Sequence, residues 1–174
     1  MTRPAIRPTR RALLAALTGT GALVAMGGVP AARAAARPRL SVTKSPTCGC
    51  CTAWADLARA AGYDVDVAET EDVAAVKIAA GVPDALWSCH TARLTAPEGQ
   101  DYAIEGHVPF AAMARLLAER PDVVGLAVPG MPAGSPGMGN DPDARYDVVA
   151  FGGEAGAGRV FFRAGIDRAR DAQP

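Results

Sequence analysis

The sequence predicts an α/β fold: a central sheet with flanking helices and one inserted β-hairpin. Three observations predict it. A short β-like run, Leu40–Thr43, leads through a cysteine-rich stretch into an apolar-periodic helix. An alternating run and a second helical segment follow directly. Two further extended runs are then separated by a short turn at Pro97–Gln100, which reads as a hairpin.

The first helix is expected over Thr52–Ala61, carrying Ala53, Trp54, Leu57, Ala58 and Ala61, and ended by Gly62. Tyr63–Val67 alternates and reads as a second strand. Thr70-Glu71-Asp72-Val73 opens a second helix with Thr70 as N-cap and acids in the first turn. That helix carries Val73, Val76, Lys77 and Ile78 and stops at Gly81-Val82-Pro83. Strand, C-x-x-C helix, strand, helix is the opening of a thioredoxin-like fold with a central sheet. Ala85–Leu94 reads as an extended run paired with Tyr102–Val108. Pro109 starts a third helix at its first position, with Met113, Leu116 and Leu117 facing inward and Pro121 beyond its end. Val123–Val128 reads as a buried strand, and Pro129–Gly139 as a Pro/Gly loop too long for a plain turn. Tyr146–Phe151 and Arg159–Arg163 form a last hairpin around a Gly-rich turn, before a frayed tail from Gly165.

The first 36 residues read as an export signal, with 37–174 as a single domain. Thr9-Arg10-Arg11-Ala12-Leu13-Leu14 looks like a twin-arginine motif. Ala12–Val29 is an apolar stretch diluted by glycine, and Ala32-Arg33-Ala34 or Ala34-Ala35-Ala36 is a small-x-small cleavage site. The run is too weak for a membrane span, which needs about 20 strongly apolar residues. A cleaved chain is therefore not an integral membrane protein, and the expected compartment is the periplasm, by the Tat or the Sec route. The segment holds five of the 18 basic residues and none of the 18 acids, so the remainder is mildly acidic, at 13 against 18. Without a basic patch or aromatic interleaving, nucleic acid is excluded as a partner.

Three of the four cysteines fall within Cys48-Gly49-Cys50-Cys51. Cys48 and Cys51 make a C-x-x-C pair with Cys50 inside it, on a loop that opens a helix, where N–H groups and the helix dipole favour a thiolate. Cys89, His107, His90, Met131 and Met138 are the remaining candidate ligands, all in loops or at strand ends. On a strand, Cys89 and His90 would face opposite ways, so one of them at most would meet the thiol loop without a bulge. Thiolates are soft and select Cu(I), Zn(II) or Fe–S. Structural zinc takes its ligands as two separated pairs, whereas three crowded sulfurs, with methionine thioethers nearby, suit Cu(I). In an oxidising compartment Cys48 and Cys51 could instead close as a disulfide that competes with metal for the same sulfurs. The alternatives are a thiol–disulfide oxidoreductase, with Cys48 as nucleophile and Cys51 as resolving thiol, a copper oxidoreductase cycling Cu(I)/Cu(II), and a zinc-binding interaction module.

Four motifs carry a resemblance. Thr47-Cys48-Gly49-Cys50-Cys51, Ser88-Cys89-His90-Thr91-Ala92, Glu105-Gly106-His107-Val108-Pro109 and Gly125–Met138 together resemble the CopG-like proteins, exported proteins associated with copper resistance. The resemblance spans about Leu40 to Phe151. It implies a thioredoxin-like fold, copper bound through Cys48, Cys50, Cys51 and Cys89 with His107 nearby, and a role in periplasmic copper redox handling among other periplasmic copper proteins.

Overall fold

In the computed structural model, which describes residues 36–165, the first strand, β1 (Arg39–Lys44), alternates as its sequence demands. Leu40, Val42 and Lys44 turn inward and are buried. The first helix, α1, runs Gly49–Ala60 and begins three residues before the expected Thr52. Its apolar period starts only at Ala53, but Cys48 already serves as N-cap, so Cys50 and Cys51 lie in the first turn rather than on a preceding loop. The inward stripe is Cys51, Trp54, Ala55 and Ala58, while Leu57 is turned out. Gly62, at φ +95°, ends the helix as expected.

The second strand, β2 (Asp64–Glu69), lies parallel to β1 at the edge of the sheet and is mostly exposed. Its alternation specifies a strand but no buried face. The second helix, α2 (Val73–Ala79), is capped by Asp72, whose side chain accepts from the Ala75 N–H at 3.0 Å. Thr70, the expected cap, instead accepts from the Asp72 N–H at 3.1 Å, one step upstream of the helix. The helix also sits in an unexpected rotation, with Lys77 buried and Ile78 67 % exposed.

The extended run expected from Ala85 begins later. Asp84–Leu86 is a 3-10 turn, and β3 is His90–Thr95. It pairs antiparallel with both β1 and β4 (Asp101–Glu105), forming the expected hairpin. Pro109, extended at φ −65° and ψ 144°, stands one residue before α3 (Phe110–Glu119). Ala112, Met113 and Leu116 are buried on that helix, and Leu117 is half-buried. Of the expected Val123–Val128 run, only Gly125–Ala127 pairs as β5, parallel to β4. The last hairpin, β6 (Tyr146–Phe151) and β7 (Arg159–Ala164), completes a seven-stranded sheet ordered β2-β1-β3-β4-β5-β6-β7. All but the last residue of the expected export signal lies outside the described residues, as does the tail beyond Gly165. Among the described residues no helix is long and apolar enough to cross a membrane.

The sheet has two unlike faces. Register places Leu40, Val42, Ala92, Leu94, Tyr102 and Ile104 together. With Trp54, Ala58, Met113 and Leu116 from α1 and α3 they form the main core. The opposite face carries Thr91 and Glu105 in register and is met by Lys77 from α2.

Candidate metal centre

The site lies where the N-terminus of α1 meets the entry to β3 and the exit from β4. Trp54 anchors it. Its side chain is fully buried, Nε1–H donates to the Val108 carbonyl at 3.1 Å, and its ring lies 4.6 Å from that of His90. On the N-terminal side, Lys44 Nζ donates to the Ser45 carbonyl at 3.1 Å and pairs with Glu69 at 2.8 Å. That buried lysine fixes the short link from β1 to Cys48.

Cys48 at the N-cap offers no side-chain hydrogen bond to the first turn, and no acidic residue stands there. The positive end of the helix is thus left to act on the sulfurs. Cys48 and Cys51 are joined by a disulfide with Cα atoms 5.4 Å apart, a spacing that one helical turn supplies. Cys50 and Cys89 are free thiols, and Cys50 Sγ lies 3.5 Å from Cys48 Sγ.

Cys89 sits in a bend just before β3, so the alternation that would separate it from His90 does not apply. Both residues therefore reach the same space. The four sulfurs of Cys48, Cys50, Cys51 and Cys89 lie within 4.8 Å of one another, and so do the donor atoms of Cys51, Cys89, His90 and His107. Each set could hold a metal ion.

His107 is fully buried, and its Nδ1–H donates to the Pro136 carbonyl at 2.6 Å. This leaves the Nε2 lone pair aimed at Cys89 Sγ, 2.9 Å away. A backbone carbonyl that fixes the tautomer in this way prepares an imidazole to act as a ligand. His90 presents Nδ1 to Cys89 Sγ at 3.5 Å, and its buried Nε2 has no hydrogen-bond partner among the described residues. Burial, aided by the Lys77 charge and by the charge His107 would carry if protonated, pushes His90 down to about 3. Burial also lowers His107, against the pull of the Pro136 carbonyl. Both rings are thus held neutral, the state in which imidazole binds metal. Burial, and next the neighbouring Cys50, push Cys89 up to about 12. A lone thiolate is costly there, and a cation among the sulfurs would offset that cost.

The Pro129–Gly139 loop closes over the site through its backbone. Besides the Pro136 contact, the Gly130 carbonyl accepts from Ser88 Oγ. Gly137, at φ +85°, passes so near α1 that an added Cβ would lie 2.8 Å from the Cys50 carbonyl oxygen and 3.3 Å from His107 Nδ1. Met131, 53 % exposed, and Met138, half-buried, both belong to this loop. Sequence reasoning missed Lys44, Lys77, Glu105 and Ser88. Lys44 had one signal, the inward register it shares with Leu40 and Val42.

The family described as "Protein of unknown function, DUF411" matches residues 86–138, the span that carries Cys89, both histidines and the loop. Among curated proteins no match is found. Two solved structures are similar to the chain. "Copper resistance protein copG- Form 1" is 38% identical, with 72% of this chain and 95% of that one covered and a TM-score of 0.63. "Copper resistance protein copG- Form 2" is 37% identical, with 74% and 98% covered and a TM-score of 0.65.

Proposed function

The chain belongs to the CopG family of copper-resistance proteins, and from that premise we propose that it is an exported Cu(I)-binding protein of the periplasm. In this reading Cys48, Cys50, Cys51 and Cys89 hold the copper, with His107 as a nitrogen ligand. His90, Met131 and Met138 are secondary candidates. Residues 1–36 act as the export signal, and residues 37–174 fold as one thioredoxin-like domain.

The observation that carries this reading is the convergence of four sulfurs within 4.8 Å, one of them 2.9 Å from a bare imidazole nitrogen. Soft sulfur donors crowded this closely suit Cu(I) better than zinc. Copper is the cargo, and loading it needs every thiol reduced. An external dithiol reductant must first give two electrons and two protons to the Cys48–Cys51 disulfide, becoming a disulfide itself as the two thiols form, and copper then displaces the thiol protons. Loading is thereby tied to the redox state of its surroundings, which suits a protein of copper redox handling among other periplasmic copper proteins.

The disulfide itself favours a second reading, a thiol–disulfide oxidoreductase with Cys48 as nucleophile and Cys51 as resolving thiol. Paired variants separate the two. If copper is held by the whole cluster, Cys50→Ser weakens Cu(I) binding as much as Cys48→Ser does. Unchanged copper stoichiometry in Cys50→Ser, with disulfide-reductase activity that survives Cys50→Ser and Cys89→Ser, would favour the oxidoreductase.

A further inference from the structure

We propose that the buried Lys77–Glu105 pair is a positioning device that sets Cys89 against His107 from behind the sheet. The proposal rests on the copper reading for its role in affinity, but not for its geometry. Glu105 is fully buried and the Lys77 side chain is 3 % exposed. Lys77 Nζ lies 2.6 Å from Glu105 Oε1 and 3.3 Å from Thr91 Oγ1, which in turn donates to Glu105 Oε2 at 2.7 Å. The group sits on the sheet face opposite α1, so it touches none of the thiols directly.

As a stabiliser such a pair is poor value, because apolar residues of similar volume often serve the fold as well. What apolar residues could not replace is one further bond. The Ser88 N–H donates to Glu105 Oε1 at 2.6 Å. Ser88 immediately precedes Cys89, in the stretch between the 3-10 turn and β3 that no strand pairing holds. Glu105 itself stands two residues before His107. One carboxylate therefore fixes two chain segments whose reactive atoms must meet at 2.9 Å. Gly106, between them, donates its N–H to the His90 carbonyl at 2.8 Å. It takes φ +72°, and an added Cβ would overlap Ser88 and lie 2.8 Å from the Val128 carbonyl oxygen. Ser88 Oγ reaches on to Gly130, so the same joint also holds the covering loop. Lys77 holds the carboxylate in place, with both of its oxygens accepting hydrogen bonds.

Two double variants test this. Lys77→Met/Glu105→Gln removes both charges but keeps an oxygen that can accept from Ser88. Lys77→Met/Glu105→Leu removes that acceptor as well. The readouts are the thermal midpoint, the rate at which iodoacetamide alkylates Cys89 in the reduced metal-free chain, and Cu(I) affinity against a competing chelator. The Met/Leu variant is expected to fold but to melt somewhat below the wild type, because it strands the Ser88 N–H and the Thr91 hydroxyl, to alkylate faster at Cys89 and to lose roughly 10–100-fold in Cu(I) affinity, the range for loss of an outer partner. The Met/Gln variant is expected to stay close to wild type in all three. A folded Met/Leu variant with wild-type alkylation and affinity overturns the proposal, as does a Met/Gln variant that loses as much as Met/Leu. Should the Met/Leu chain fail to fold, Lys77→Arg/Glu105→Asp keeps the charges but withdraws the carboxylate by one methylene, and must still weaken Cu(I) binding. A wild-type chain that takes no Cu(I) overturns the copper reading alone, and the alkylation rates then decide the positioning role.

Discussion

The two faces of the sheet solve opposite problems. The α1 face buries Trp54, Leu94, Ile104 and Met113 in an apolar core and presents thiols and imidazoles at its edge. The α2 face buries a lysine and a glutamate under a seven-residue helix on which Val73 and Val76 are half-buried and Ile78 points outward. Apolar packing holds the first face and needs no exact partner for each side chain. The second joins a small apolar cluster, Val82, Ala127 and Phe151, to one buried ion pair and the hydrogen bonds around it, so its geometry is more specific. Chemistry that needs several donor atoms within a few ångströms uses both: a packed front that carries the ligands and a hydrogen-bonded back that aims them.

Substitutions on the two faces should differ in size, and the largest effect should come from the front. Cys89→Ser should lower Cu(I) affinity by more than about 100-fold, beyond the loss expected for an outer partner, as read by competition titration. A near-wild-type affinity would remove Cys89 from the ligand set. On the back, Lys77→Met alone strands a buried carboxylate and should cost about 3–5 kcal/mol in urea unfolding. A cost below about 1 kcal/mol would mean that the Lys77–Glu105 pair does not hold the back of the sheet. Trp54→Ala, in the packed front, should cost a similar 3–5 kcal/mol, roughly, and should also loosen His90, whose ring rests on the indole. An unchanged His90 ring signal in the NMR spectrum of that variant would contradict the contact. Gly137→Ala should cost about 1–2 kcal/mol for its left-handed backbone, with a further cost for the overlap of its Cβ with the Cys50 carbonyl, and should weaken copper binding by displacing the loop from Cys50. The smallest effect belongs to the surface of α3: Arg115→Ala, which breaks the pair with Glu119 and lifts the guanidinium from the Phe161 ring, should cost about 1 kcal/mol in urea unfolding.

The front was far more legible in the sequence than the back. Periodicity located β1, α1, the β3–β4 hairpin and the last hairpin, because their apolar residues repeat with the period of the element they form. The cysteines and histidines stood out because residues of those types seldom fall together in loops by chance. Helix starts were less legible. Cys48 at an N-cap carries none of the usual oxygen signal, and Thr70 and Asp72 are both good caps only two residues apart. The bend at Cys89 was invisible, since strand alternation assumes a regular ladder, and that bend is what lets Cys89 and His90 share one site. The Lys77–Glu105 pair was least legible of all. Each residue alone reads as a solvated surface charge, and only the fold brings them together across 28 positions.

The most direct test of the central claim is a Cu(I) titration of the fully reduced chain under a competing chelator, with each cysteine's protection from alkylation followed by mass spectrometry. The account predicts that Cys48, Cys50, Cys51 and Cys89 become protected together as copper is taken from the chelator. Copper that stays with the chelator, or protection confined to Cys48 and Cys51, would contradict it.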